Sequence, residues 1–155
     1  MRVHRILRER YCTKPFDGEG SFRFGGRWSS PGQRVVYTSE HLSLAMLEYL
    51  AHLDEGDAPN DLVLATAEVP DAVSQIELTD LPDRWREYPA PEELARIGDA
   101  FVREAQAAIL VVPSVIVPTE FNWILNPAHP DFRLIAPPVI QPFSFDSRLV
   151  TKKTS

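Results

Sequence analysis

The sequence predicts an α+β fold: a single domain of short strands in a mixed or antiparallel sheet, with a few helices packed on it. Three observations carry this reading. Apolar, β-branched segments outnumber helical ones, and the two kinds do not alternate regularly, as they would in a doubly wound parallel sheet. Fourteen prolines against seven glycines divide the chain into short elements. A length of 155 residues supplies one substantial core but is short for two.

Taken in order, Val3 to Leu7 alternates weakly and reads as an opening strand. From Thr13 to Trp28 the chain is rich in glycine and aromatic residues, and it reads as an ordered loop. Pro31-Gly32 signals a turn, after which the β-branched run Arg34 to Thr38 starts a strand. A helix is expected from His41 to Leu53, with Ser39 as its N-cap and Leu42, Ala45, Met46, Tyr49, Leu50 and Leu53 at helical spacing. Asp61 to Val69 reads as a strand ended by Pro70. Glu92 to Ala107 reads as a second helix, with Leu94, Ile97, Phe101 and Ala105 on one face. Ile109 to Val112 is a buried strand, and Val115 to Val117 reads as another beyond Pro113. From there to Leu149, short apolar segments alternate with prolines. The domain is expected to span residues 1–150, leaving 151–155 as a frayed tail.

Charge and motif content narrow the function. The net charge of −6 and a pI near 5.2 argue against tight, unassisted binding to a phosphate backbone, while leaving room for a local basic pocket. The first residues contain no long apolar run, so neither a secretory signal nor a membrane span fits, and a cytoplasmic location is expected. Cys12 is the single cysteine and can form no internal disulfide. Neither a phosphate loop, a dinucleotide-binding glycine fingerprint, a zinc-protease histidine pair nor a hydrolase serine elbow is present. No metal is expected.

Five segments stand out together: Gly25 to Gly32 (GGRWSSPG), Val35 to Glu40 (VVYTSE), Leu44 to Glu48 (LAMLE), Val112 to Pro118 (VPSVIVP) and Asn126 to Phe132 (NPAHPDF). In this order, over nearly the whole chain, they resemble the RES domain, named for a recurring arginine, glutamate and serine. Arg27, Glu48 and Ser114 stand at those positions, and Tyr37 matches a tyrosine of the same pocket. Ser29 departs from the asparagine common after Arg-Trp, and Ser147 from the proline common before the final Arg-Leu. The resemblance implies a fold similar to ADP-ribosyltransferase toxins and an enzyme that breaks down NAD, by hydrolysis or phosphorolysis. It implies NAD as substrate, with phosphate as a potential co-substrate and no tightly bound cofactor. It also implies a cognate antitoxin with an Xre-like helix-turn-helix region that blocks the pocket. With an acidic toxin, DNA contact falls to that partner.

The chemistry is coherent on its own terms. Breaking the nicotinamide–ribose bond releases a neutral pyridine, so the charge to stabilise is the cation growing on the ribose. A fixed carboxylate supplies that, and Glu48 is the candidate. Arg27, behind Gly26, offers planar donors to the pyrophosphate. Tyr37 could stack on the nicotinamide, Ser114 could bond nicotinamide or ribose, and Trp28 either walls the pocket or anchors its loop. Each residue also has a plainer reading. Glu48 falls in a polar stripe with His41, His52 and Glu55, Arg27 suits a surface ion pair, Tyr37 core packing, and Ser114 a turn. His129 reads as a turn-stabilising side chain, and Phe22, Phe24 and Trp28 as a surface on which a partner could dock. Two alternatives to NAD breakdown follow: transfer of ADP-ribose to a cellular protein, or a non-catalytic module that only binds its DNA-binding partner.

Overall fold

In the computed structural model, which describes residues 1–53, 58–71 and 73–150, the expected α+β architecture is present. Strand β1 (Arg2–Arg8) buries Val3 and Leu7 on one face and Ile6 on the other. A strand apolar on both faces belongs inside a sheet, and β1 is flanked by β2 (Val36–Ser39) and β3 (Leu62–Glu68). With β4 (Ser74–Gln75), β5 (Ile109–Pro113), β6 (Phe121–Leu125) and β7 (Val139–Phe143) the sheet has seven strands in the order β4-β5-β6-β2-β1-β3-β7. Every pairing is antiparallel except β4 with β5, so the sheet is mixed.

Side chains alternate across the sheet with period two. One face carries Val3, Leu7, Val36, Ala65, Val111, Trp123 and Leu125, covered by Phe16 and Ile135. The other is divided between two helices. Helix α2 (Leu42–Ala51) sets Ala45 on Ile6, Leu62 and Leu64. Helix α3 (Glu92–Glu104) sets Leu94 and Phe101 on Leu110, Val112 and Ile124, together with Trp28, Val35 and Trp85. Tyr37, Ser39 and Asn122 follow the register onto this helix-covered face.

Several expectations are corrected. A 3₁₀ turn at Glu9–Tyr11 follows β1, and within the stretch expected as a loop, Thr13 to Trp28, Glu19–Phe24 is a short helix, α1. Six residues hold under two turns, too few for apolar periodicity to show. Ser39 does not cap α2: His41 is the N-cap, without a side-chain bond, and Ser39 ends β2. Helix α3 stops at Glu104 because Ala105 turns left-handed (φ 48°). Val115 to Val117 is a bend that leads into a turn closed by the Glu120 N–H on the Val117 carbonyl, and the strand that follows is β6. Strand β7 runs through Pro142, which its edge position tolerates. His129 behaves as expected: it caps Pro130–Leu134 by accepting from the Asp131 N–H. Glu55 and the expected tail at 151–155 lie outside the described residues. No helix among the described residues is long and apolar enough to cross a membrane.

Among the described glycines, the closest approach of neighbouring backbone is at Gly98, between α3 and the loop before β2. A Cβ built on Gly98 would lie 1.5 Å from the Trp28 carbonyl oxygen, so only glycine lets the helix pass this close. One residue on, Asp99 accepts from the Ser30 N–H (2.9 Å) and the Ser30 hydroxyl (2.6 Å). Glycine costs about 1 kcal/mol in a helix interior, and here it is what allows helix and loop to touch. Gly98→Ala should therefore push α3 off the loop and lower stability by about 3 kcal/mol, seen as a fall in the urea midpoint. An unchanged midpoint would mean that this approach is not a constraint.

Candidate active site

The loop over residues 25–30 is pinned from within. Gly25 adopts φ 68°, and Gly26 and Ser29 exchange backbone hydrogen bonds of 2.9 and 3.4 Å. The Tyr37 hydroxyl accepts from the Trp28 N–H (3.2 Å) and lies 2.7 Å from the Ser29 hydroxyl. Thus Ser29 bonds the tyrosine that holds the loop. A Cβ on Gly26 would sit 2.7 Å from the Tyr37 oxygen, so the ring packs against the loop backbone. Burial pushes the Tyr37 phenol above its usual range, which keeps it neutral. The Trp28 side chain is 3% exposed and belongs to the core under α3; it anchors the loop.

Arg27 points out of this pinned loop. Its Nη1 donates to the carbonyls of Trp85 (2.9 Å) and Glu87 (3.0 Å), using two of the guanidinium's five donors. Burial pulls its pKa down, while the field of the Glu48 carboxylate pushes it back up. An arginine remains charged under both influences. Arg86, from the same segment, donates to the Val115 carbonyl (3.2 and 2.9 Å). The two arginines thereby tie the loops at 25–30, 85–88 and 114–117 into one rim, from which Tyr88 stands out at 92% exposure.

Glu48 leaves α2 on the side facing this rim, and it is no part of a solvated stripe. Its Oε1 accepts from the Ser114 hydroxyl (2.8 Å) and from Asn122 Nδ2 (2.7 Å). Ser114 is fully buried at the end of β5, and its Oγ accepts from the Ile116 and Val117 N–H groups (3.1 Å each). His41 and His52 are exposed and lie apart: His41 stands near Glu40 and Glu120, and His52 bonds the Glu48 backbone carbonyl. Glu48 and Ser114 are therefore in direct contact, Tyr37 holds the loop that carries Arg27, and the segment bound by Arg27 reaches the turn after Ser114 through Arg86. Asn122, Asp99 and Arg86 were not singled out by sequence reasoning. The signal for Asn122 was a polar residue inside the apolar run Phe121 to Leu125.

The geometry makes Tyr37 a strut, and this has a consequence for stability. Tyr37→Phe would strip partners from the Trp28 N–H and the Ser29 hydroxyl and should cost about 1–2 kcal/mol, measured by urea denaturation. A tyrosine serving only to stack on a ligand would leave stability unchanged on this substitution.

Comparison with known proteins gives a consistent picture. The RES domain profile matches residues 2–146. The chain is 36% identical over 152 residues to a protein named Toxin Res from Yersinia enterocolitica, covering 96% of this chain and 99% of that one. It is also 36% identical over 146 residues to one named Prs ADP-ribosylating toxin from Sphingobium sp., covering 92% and 91%. A Toxin Res from Pseudomonas putida is 40% identical over 135 residues, covering 85% and 90%. Among solved structures, a chain of the Mycobacterium tuberculosis MbcT–MbcA toxin–antitoxin complex superposes with a TM-score of 0.73 at 16% identity, covering 92% of this chain and 84% of that one, which shows a shared fold. The chain belongs to the RES domain family, the family of the Res toxins.

Proposed function

We propose that this protein is the toxin of a toxin–antitoxin pair and that it arrests growth by cleaving the nicotinamide–ribose bond of NAD. The observation that carries this reading is the placement of the Glu48 carboxylate, held by the Ser114 hydroxyl and Asn122 Nδ2 beside the turn that Arg86 ties to the segment bound by Arg27. The remaining donors of Arg27 suit the pyrophosphate, and the Glu48 carboxylate suits the ribose. In the reaction, the bond between the nicotinamide nitrogen and ribose C1′ breaks and its electron pair leaves with the neutral pyridine. Positive charge on the sugar is stabilised by Glu48 until water or phosphate adds to C1′ and releases a proton to solvent. NAD is the substrate in this scheme, phosphate the alternative acceptor, and no tightly bound cofactor takes part.

Transfer of ADP-ribose to a cellular protein is the second reading, favoured by the name of the Sphingobium relative. It uses the same bond cleavage and differs only in the acceptor. That the structural neighbour comes from a toxin–antitoxin complex supports an antitoxin partner for this chain, and we assign to that partner the blocking of the site. We assign that partner an Xre-like helix-turn-helix region and the DNA contact, since this chain carries −6 net charge; toxin and antitoxin would meet in the cytoplasm.

Purified protein should consume NAD and release nicotinamide, with phosphate determining whether ADP-ribose or its 1-phosphate is formed. Glu48→Gln should lower kcat by about 100-fold or more, and Arg27→Ala should act mainly through KM. Labelled NAD added to lysate separates the acceptors, because a discrete labelled protein band marks transfer. Unchanged NAD with and without phosphate, and no labelled protein, would overturn the proposal.

A further inference from the structure

We propose that Asn122 and Ser39 are positioning residues for Glu48, forming with Ser114 a closed relay that directs one carboxylate oxygen toward the ligand and leaves Ser114 no part in binding it. The inference rests on Glu48 acting on the ligand, as proposed above.

The argument begins in the sheet. Ser39 on β2 and Asn122 on β6 are directly opposite each other in the antiparallel ladder, so the register places both side chains together on the helix-covered face. The Ser39 hydroxyl and Asn122 Oδ1 are 2.7 Å apart, and Asn122 Nδ2 lies 2.7 Å from Glu48 Oε1. A carboxylate only accepts hydrogen bonds, so the amide must present its NH₂ to Glu48 and its oxygen to Ser39. Ser39 is then the donor that holds the amide in this orientation, and at 4% exposure it is sheltered from competing water. The donors run one way, from Ser39 to Asn122 to Glu48.

Ser114 closes the relay from the other side. A hydroxyl has one proton and two lone pairs. The proton goes to Glu48 Oε1, and the lone pairs take the Ile116 and Val117 N–H groups. No capacity is left for nicotinamide or ribose, so Ser114 acts through Glu48. Donors from β6 and from the turn after β5 thus converge on Oε1, while Oε2 receives no hydrogen bond from any described residue. The last torsion of a glutamate is otherwise broad, and two fixed donors on one oxygen set it.

The test is a double-mutant cycle in the full-length chain, reading kcat and KM for NAD, growth arrest on induced expression, and thermal stability. Asn122→Ala should lower kcat by about 10- to 100-fold with KM little changed. Ser39→Ala should lower kcat less, and it should have no further effect once Asn122 is alanine, because its only route to Glu48 is gone. Where Asn122→Ala does not fold, Ser39→Ala decides alone: kcat falls at constant KM, or the relay is wrong. Additive effects, a rise in KM matching the fall in kcat, or a folded Asn122→Ala with wild-type kcat would each overturn the proposal. A wild-type protein that arrests growth while leaving NAD intact would end the NAD reading. The relay would then stand or fall on whether the same variants relieve growth arrest in the same order.

Discussion

A carboxylate can only accept hydrogen bonds, and the surroundings of Glu48 supply donors to one of its two oxygens. Asn122 and Ser114 both donate to Oε1, one from a central strand and one from the turn beyond its neighbour. This constraint reaches back through the sheet. The β2–β6 register must hold for Ser39 to meet Asn122, and β1 and β3 must carry α2 at the height where Glu48 reaches across. A one-residue slip of β6 in that ladder would turn Asn122 to the opposite face, away from Ser39, and leave Glu48 with a single donor.

The other charge of the site is placed by backbone contacts. Arg27 sits in a loop fixed by the Tyr37 hydroxyl, by Asp99 on Ser30, and by the approach of Gly98 to the Trp28 carbonyl. Its guanidinium also binds two carbonyls of the segment at 85–87, and Arg86 binds the turn after Ser114. Hydrogen bonds from charged donors are worth about 1.5–3 kcal/mol each, so the rim is held by bonds stronger than ordinary loop contacts. Arg27 therefore has two tasks, tying the rim together and offering its remaining donors outward. The four residues singled out by the resemblance divide accordingly: Arg27 and Glu48 carry charge, while Tyr37 bonds the loop that bears Arg27 and Ser114 bonds the Glu48 carboxylate.

Much of this was legible in the sequence. The opening strand, the strand at 62–68, the helix at 92–104 and the strand at 109–113 follow from apolar spacing, and the ordered segments around Arg27, Tyr37, Glu48 and Ser114 pointed to the family. What remained hidden has physical causes. Strand β6 is five residues long with a polar side chain inside it, and Asn122 is polar because it faces Glu48. Ser39 had the chemistry of a helix cap and was drawn instead to a neighbour 83 residues away. Gly98, in the middle of a helix, is accounted for by the Trp28 carbonyl packed against it. Each of these residues is explained by a contact distant in sequence, which local spacing does not encode.

The most direct measurement is a crystal structure of the Glu48→Gln protein with NAD bound. The account predicts the pyrophosphate within hydrogen-bonding distance of Arg27 and ribose C1′ over the side chain at position 48, with the Ser114 hydroxyl still facing that side chain and not the ligand. A dinucleotide lodged elsewhere on the molecule, or one whose phosphates make no contact with Arg27, would contradict it.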